Sequence, residues 1–119
     1  MSPLRVLLRQ LRQAASGLTE LAGSWLRPSI RVQAVAERPR RLNRRCLYVT
    51  FQAGAPAFGV MICPCGCGET LNLRFFGERH PRWSVTWDRR KRPTVLPSIW
   101  RKSGCRSHFH LTAGRVRWC

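Results

Sequence analysis

Two short groups of cysteine and histidine are the part of this sequence best suited to chemistry. Cys63, Cys65 and Cys67 form the first group, and Cys105 and His108 form the second. Thiolate and imidazole are the ligand types that suit a tetrahedral zinc ion. The sequence therefore predicts one structural zinc ion held by Cys105, His108 and two or three of the first three cysteines.

Five candidate ligands compete for four positions, so the ligand set stays open at this point. The Cys-x-Cys-x-Cys spacing is tighter than the usual Cys-x₂-Cys arm of a zinc site. Gly66 and Gly68 let the backbone curl around a small ion, because glycine reaches positive φ without steric cost. His110 is a reserve ligand, since it shares a strand face with His108. Unrelated buried or disulfide-bonded cysteines are the alternative to a metal site.

The chain is strongly basic, with 22 Lys and Arg against 5 Asp and Glu and a formal net charge of +17. Such an imbalance attracts phosphate, anionic lipid or an acidic partner. Arginine-rich coding bias on a solvated surface is the alternative explanation, and a charge run is usually a solvated loop. The candidate anion-binding residues are Arg38, Arg40, Arg41, Arg44, Arg45, Arg89, Arg90 and Arg92.

Short alternating segments follow one another from residue 30 and are typical of a small antiparallel β domain. We predict strands over 30–36, 47–51, 60–62, 70–75, 83–87, 95–96, 108–112 and 115–118. We predict turns at 54–56 and 97–100, and a hairpin turn at Ala113-Gly114. The fold class is mostly β: a zinc-stabilised domain over 30–119, preceded by an amphipathic helical extension over 1–29.

The extension carries apolar residues at steps of three and four between residues 3 and 26, which is one stripe on a helix. The helix could lie on a membrane surface, pair with a partner helix, cover the β domain or serve as a targeting peptide. Docking on the domain or on a partner is favoured. No secretory leader pattern precedes the six cysteines, so we expect a reducing, cytoplasmic location.

Five blocks of the sequence resemble a small bacterial zinc-site family known as domain of unknown function 6527. The blocks are Leu47-Tyr48-Val49, Cys63 to Glu69, Leu96-Pro97-Ser98-Ile99, Cys105 to Phe109, and Gly114 to Trp118. The resemblance covers residues 30–118 and implies a compact zinc-binding β protein. Some members are encoded beside bacterial ubiquitin-like modifiers and their activating and conjugating enzymes. The resemblance thus implies an accessory role in such a system, with the modifier or its conjugating enzymes as partner.

Three functional hypotheses follow. The first is a non-catalytic zinc-binding module that docks a protein partner, and the second is a nucleic-acid-binding protein that uses the arginine-rich loops. The third is a zinc-dependent hydrolase with Glu69 as base; otherwise Glu69 supports the metal ligands. Ser98 and Ser107 lack an obvious catalytic triad, because His108 is assigned to the metal and acids are scarce. The sequence therefore favours binding over catalysis and leaves catalysis open.

Overall fold

A computed structural model describes residues 29–119, which form two four-stranded sheets. The first sheet contains β1 (Arg31–Ala34), β2 (Cys46–Gln52), β3 (Ala55–Ile62) and β4 (Thr70–Arg74), in that order. The second sheet contains β5 (Ser84–Trp87), β6 (Pro93–Trp100), β7 (His108–Thr112) and β8 (Arg115–Trp118), in that order. The mostly β class is thus confirmed, and the predicted helix over 3–26 lies outside the described residues.

Strand direction follows the length of each connection. Every pair of neighbouring strands is antiparallel except β1 and β2, which run parallel from Arg31 opposite Cys46 to Ala34 opposite Val49. A short turn can only reverse the chain, whereas a parallel pair needs a long crossover. The basic connection over 35–45 supplies that crossover. The described sheets are thus antiparallel apart from this one pair.

One hydrophobic core is shared by the two sheets, and it explains the alternating sequence pattern. Leu71 and Leu73 of β4 and Phe109 and Leu111 of β7 are all buried at period two. Successive strand residues point to opposite faces, so one face of each strand enters the core. Burying a side chain of this size stabilises the fold by about 1.5–3 kcal/mol. The core therefore sets the face on which the remaining side chains are presented.

Strand β6 differs most from the sequence prediction. Residues 97–100 were predicted as a turn, because proline normally ends a central strand. The structure continues β6 to Trp100 through a register shift, in which three residues between Val95 and Ile99 face a single residue of β7. This bulge accommodates Pro97, which has no N–H to donate. The predicted turn at 54–56 is also shifted, since β3 already begins at Ala55.

Gly114 ties the first sheet to the second. Its carbonyl accepts the N–H of Ile30 at 2.8 Å, and its own N–H donates to the carbonyl of Pro93 at 2.8 Å. Its φ is 77°, in the region that favours glycine. A Cβ atom at this position would lie 2.5 Å from the Ile30 carbonyl oxygen. The Ala113-Gly114 hairpin turn is thus confirmed, and it has a second role in joining the sheets.

None of the described residues forms a helix long and apolar enough to cross a membrane. The predicted division of the chain at residue 29 stays a prediction.

We expect Gly114→Ala to destabilise the protein by about 3 kcal/mol, because backbone strain and a backbone clash combine. Gly54→Ala is the matched control: its φ is 78°, and nothing lies within 4 Å of the added Cβ. The control should lose only about 1 kcal/mol, from backbone strain alone. Urea unfolding of both variants measures the difference. Equal losses would contradict the contact with Ile30.

Candidate metal centre and a serine–histidine pair

The loop between β3 and β4 brings three thiols together. The N–H of Cys63 donates to the carbonyl of Glu69 at 2.8 Å, which closes the loop. Gly66 and Gly68 have φ values of 91° and 81°, so the chain reverses sharply between the cysteines. The N–H of Cys67 donates to the Sγ of Cys65 at 3.3 Å. The loop is thereby shaped around its own sulfur atoms.

The loop between β6 and β7 supplies the fourth thiol. Cys105 Sγ lies 3.7 Å from Cys63 Sγ, and Cys63 Sγ lies 3.4 Å from Cys65 Sγ. The Sγ atoms of Cys63, Cys65, Cys67 and Cys105 all lie within 4.8 Å of one another. A tetrahedral zinc ion with bonds of about 2.3 Å would separate its sulfur ligands by about 3.8 Å. The four cysteines can therefore hold a metal ion, and they would fill every position of a four-coordinate site.

The thiols in this cluster differ in acidity for identifiable reasons. Burial raises the pKa of Cys63 to about 12, whereas a hydrogen bond from the Ser107 hydroxyl lowers the pKa of Cys105 to about 6. A metal ion binds the thiolate form and displaces the proton, so it would override the preference of Cys63 for the neutral thiol. Cys105 therefore supplies a thiolate more readily than Cys63 does.

Arg101 contacts both the thiol cluster and Glu69. Its guanidinium nitrogen Nη1 lies 3.4 Å from Cys105 Sγ and 3.8 Å from Cys67 Sγ. Its other terminal nitrogen, Nη2, forms an ion pair with Glu69. Four thiolates around a divalent ion leave an excess of negative charge, which a nearby guanidinium offsets. Glu69, proposed from sequence as a base, is thus engaged with Arg101.

The four-thiol cluster does not include His108, which the sequence predicted as a metal ligand. Its Nε2 atom is 2.8 Å from the Oγ atom of Ser98. The indole of Trp100 stacks on the imidazole, with ring centroids 5.1 Å apart and an interplanar angle of 18°. His110, the reserve ligand, is half-buried opposite Arg117 on β8 and does not belong to the thiol cluster either.

The bulge in β6 explains how Ser98 reaches His108. Trp100 lies directly opposite His108 in the β6–β7 pair. Ser98 precedes Trp100 by two residues, so it shares the same face of the strand. The Trp83 Nε1–H group donates to the Ser98 carbonyl at 3.2 Å and fixes the backbone there. A sequence reading that continued β6 through Pro97 and paired it with β7 would have brought Ser98 and His108 together.

An open groove adjoins Ser98. Its volume is about 700 Å³, and part of its wall is formed by the residues that precede the serine. The lining residues are Glu78, His80, Arg82, Trp83, Ser84, Leu96 and Pro97. Leu96 is 57% exposed, which leaves an apolar side chain in the groove wall. The groove therefore offers a concave, partly apolar surface whose wall ends at Pro97, the residue before Ser98.

The arginine-rich segments lie on both sides of β1. The N–H of Arg31 donates to the carbonyl of Arg45 at 2.8 Å, and the N–H of Val32 donates to the carbonyl of Lys91 at 2.7 Å. Arg92 is neutralised in part by Asp88, with Nε and Oδ2 at 2.7 Å. The structure thus brings the two basic segments to one short strand, and anion binding by them stays a prediction.

Comparison with known proteins corrects the family assignment. Residues 34–119 match the family described as "Bacterial ubiquitination-like system serine protease (BubE)". The assignment to domain of unknown function 6527 is therefore wrong, because the matching family is a different one. No curated protein and no solved structure matches the chain. The link to a ubiquitin-like system, which the sequence resemblance had implied, is nevertheless supported by the family that does match.

We expect Cys105→Ser to abolish most of the metal content, because Cys105 is the only thiol of the cluster that comes from the β6–β7 loop. Cys46→Ser is the control, since Cys46 is a free cysteine of β2 outside the cluster. Elemental analysis should find about one metal ion per chain in the wild type and in the control. Unchanged metal content in Cys105→Ser would contradict the four-thiol site.

We expect Arg101→Met to weaken metal binding by about tenfold, because its guanidinium contacts two of the sulfur atoms. Lys102→Met is the matched control: it removes the same charge from the next residue, whose ammonium faces the Trp100 ring at 5.5 Å. Competition with a chromophoric chelator measures both affinities. Equal weakening in the two variants would show that general charge, rather than contact with the thiolates, is responsible.

Proposed function

Because the chain belongs to the family of bacterial ubiquitination-like system serine proteases (BubE), we propose that it is a serine peptidase with Ser98 as nucleophile and His108 as general base. The observation that carries this proposal is the 2.8 Å separation between Ser98 Oγ and His108 Nε2. A hydroxyl within hydrogen-bond reach of an imidazole is the arrangement that activates serine. The substrate would be a protein of the ubiquitin-like system, such as the modifier or a conjugating enzyme.

The reaction is an acyl transfer in two halves. Ser98 Oγ attacks the scissile carbonyl carbon while His108 Nε2 takes the hydroxyl proton. The same proton then passes to the leaving amine as the C–N bond breaks, which leaves an ester on Ser98. Water attacks the ester, with Nε2 again accepting a proton, and the proton returns to Ser98 as the acid product departs. Water is the only co-reactant that the two steps require.

Trp100 supports His108 where a triad would use an acid. Among residues 29–119, no carboxylate forms a hydrogen bond with His108. The Trp100 ring lies nearly parallel to the imidazole at 18° and fixes its plane. The face of an aromatic ring attracts a cation, so the indole also favours the imidazolium that forms during attack. The site is therefore a serine–histidine dyad with an aromatic positioning residue.

The metal ion is proposed to be zinc, with a structural role. Four thiolates suit zinc, and they leave no open coordination position for water or substrate. When bound, the ion would cross-link the β3–β4 loop to the β6–β7 loop. The latter loop joins Trp100 to His108. The cysteines would therefore maintain the spacing of the dyad without taking part in proton transfer.

The alternative functions are less well supported by this geometry. A zinc-dependent hydrolase needs an open metal position and a free base, whereas the thiol cluster is closed and Glu69 is paired with Arg101. A non-catalytic docking module would have no need for a serine held against histidine. Nucleic-acid binding would use the basic segments beside β1, a role that the dyad neither requires nor excludes.

We expect a fluorophosphonate probe to label the wild type on Ser98 and to leave Ser98→Ala unlabelled, because the probe reacts with an activated serine. His108→Gln should slow labelling by about 100-fold or more, through loss of the general base. Ser103→Ala, in the exposed part of the β6–β7 loop, is the control and should label normally. Peptide mapping by mass spectrometry locates the label. Labelling that persists in Ser98→Ala would reject the proposal.

A further inference from the structure

Strand β6 extends beyond its neighbour β5. The pairing of β5 with β6 stops at Ser84 opposite Leu96, whereas β6 continues to Trp100. On the side away from β7, no strand of residues 29–119 covers the segment from Ser98 to Trp100. The nucleophile thus lies on a segment of β6 whose outer edge is open in the described part of the chain.

Hydrogen-bond alternation shows which groups face this open edge. The N–H of Arg101 donates to the carbonyl of Ser107 at 2.8 Å, so the backbone of Arg101 faces β7. In an antiparallel ladder the next residue along the strand faces the opposite way. The N–H and carbonyl of Trp100 therefore face away from β7. The hydrogen bonds of β7 support this orientation. The carbonyl of His108, opposite Trp100, accepts the N–H of Cys119 at 3.0 Å and so faces away from β6.

Ser98 faces the same edge as Trp100, two residues away. Its carbonyl already accepts a hydrogen bond from the Trp83 indole at 3.2 Å, which confirms the direction. The edge therefore offers the N–H of Ser98 and both backbone groups of Trp100. It is flanked by the exposed side chains of Leu96 and Trp100, each 57% exposed. Natural sheets usually protect such edges with charge, proline or a covering segment.

The chemistry of the edge fits an extended peptide. Unpaired backbone donors and acceptors are satisfied by another strand at a spacing of about 4.8 Å, and side-chain pockets beside the edge then select residues. The groove next to Leu96 and Pro97 provides such a pocket. A folded partner surface would not reach the Trp100 backbone unless it presented a free strand.

We propose that the substrate is bound as an added strand on the open edge of β6, with its backbone hydrogen-bonded to Trp100. This inference rests on the proposed peptidase function. A substrate strand that pairs with Trp100 also passes Ser98, two residues away on the same edge. It brings a substrate carbonyl next to Ser98 Oγ, and the N–H of Ser98 becomes a donor to the oxygen of that carbonyl. The substrate class is therefore an extended, unpaired segment of polypeptide rather than a folded surface.

The decisive variant is Trp100→Pro, with Trp100→Ala as its matched control. Both lose the indole, but only the proline variant also loses the N–H that faces the edge, and proline is tolerated at such edge positions. The substrate is the best-cleaved member of a proteome-derived peptide library. We expect kcat/KM to be about tenfold lower in Trp100→Pro than in Trp100→Ala, while the fluorophosphonate labels both variants at the same rate, below that of the wild type because both lack the indole. Equal kcat/KM in the two variants would overturn the inference.

A second measurement uses the unaltered protein, in case the proline variant does not fold. Backbone N-methylation is moved one residue at a time along the same peptide. Loss of cleavage should alternate with period two, because only every second substrate N–H faces β6. A uniform effect, or none, would overturn the added-strand geometry. Wild type that labels on Ser98 but cleaves no peptide also overturns it, whereas failure to label Ser98 rejects the peptidase function itself.

Hydrogen exchange tests whether another part of the chain occupies the edge. The Trp100 amide should exchange rapidly in the free protein and become protected when a peptide aldehyde is added, since the aldehyde reacts reversibly with Ser98. Protection already present in the free protein would place another segment on the edge and overturn the inference.

Discussion

The convergence of four thiols from two separate hairpin loops is the constraint on which the rest of the structure depends. One loop ends the β3–β4 hairpin of the first sheet, and the other ends the β6–β7 hairpin of the second sheet. A small domain has a limited core, so a cross-link between its sheets supplies stability that packing alone cannot. A metal cross-link would also have a fixed geometry, because the sulfur ligands of one zinc ion lie about 3.8 Å apart. A bound ion would thereby fix the ends of both hairpins relative to each other.

The proposed catalytic geometry depends on this constraint through the β6–β7 hairpin. Trp100 and His108 are the last and first strand residues on either side of the loop that contains Cys105. Arg101 and Ser107, which close the loop by a backbone hydrogen bond, also contact the thiols. A shift of the loop would therefore move the imidazole relative to Ser98. The proposed metal binding and the proposed hydroxyl activation are separate chemistries whose residues share the β6–β7 hairpin.

Sequence reasoning predicted the strands that follow simple periodicity and missed the feature that depends on irregularity. The alternation in β4 and β7 reflects burial of one face, which local sequence records directly. The bulge in β6 does not follow from local sequence, because the pairing of Ile99 with Phe109 overrides the usual effect of Pro97. The four cysteines were predicted as metal ligands from their residue type and spacing alone.

His108 was predicted as a ligand because its Cys-x-x-His spacing resembles a zinc arm, and the structure places it outside the four-thiol cluster. The spacing would permit Cys105 and His108 to share an ion, but β7 begins at His108 and carries its side chain toward Trp100. Only the paired strands reveal this, since Trp100 becomes the neighbour of His108 through the pairing of β6 with β7. Ser98 was left without a base for the same reason.

The scarcity of acids explains why an aromatic ring supports the histidine. The chain has five Asp and Glu residues, and two of them, Glu69 and Asp88, are already paired with arginines. A carboxylate beside His108 would also lie on a hairpin whose loop holds several cationic side chains, which would compete for it. An indole face stabilises imidazolium without attracting those arginines as strongly. Trp100 therefore serves two needs at one position: its ring positions the base, and its backbone forms the edge beside the nucleophile.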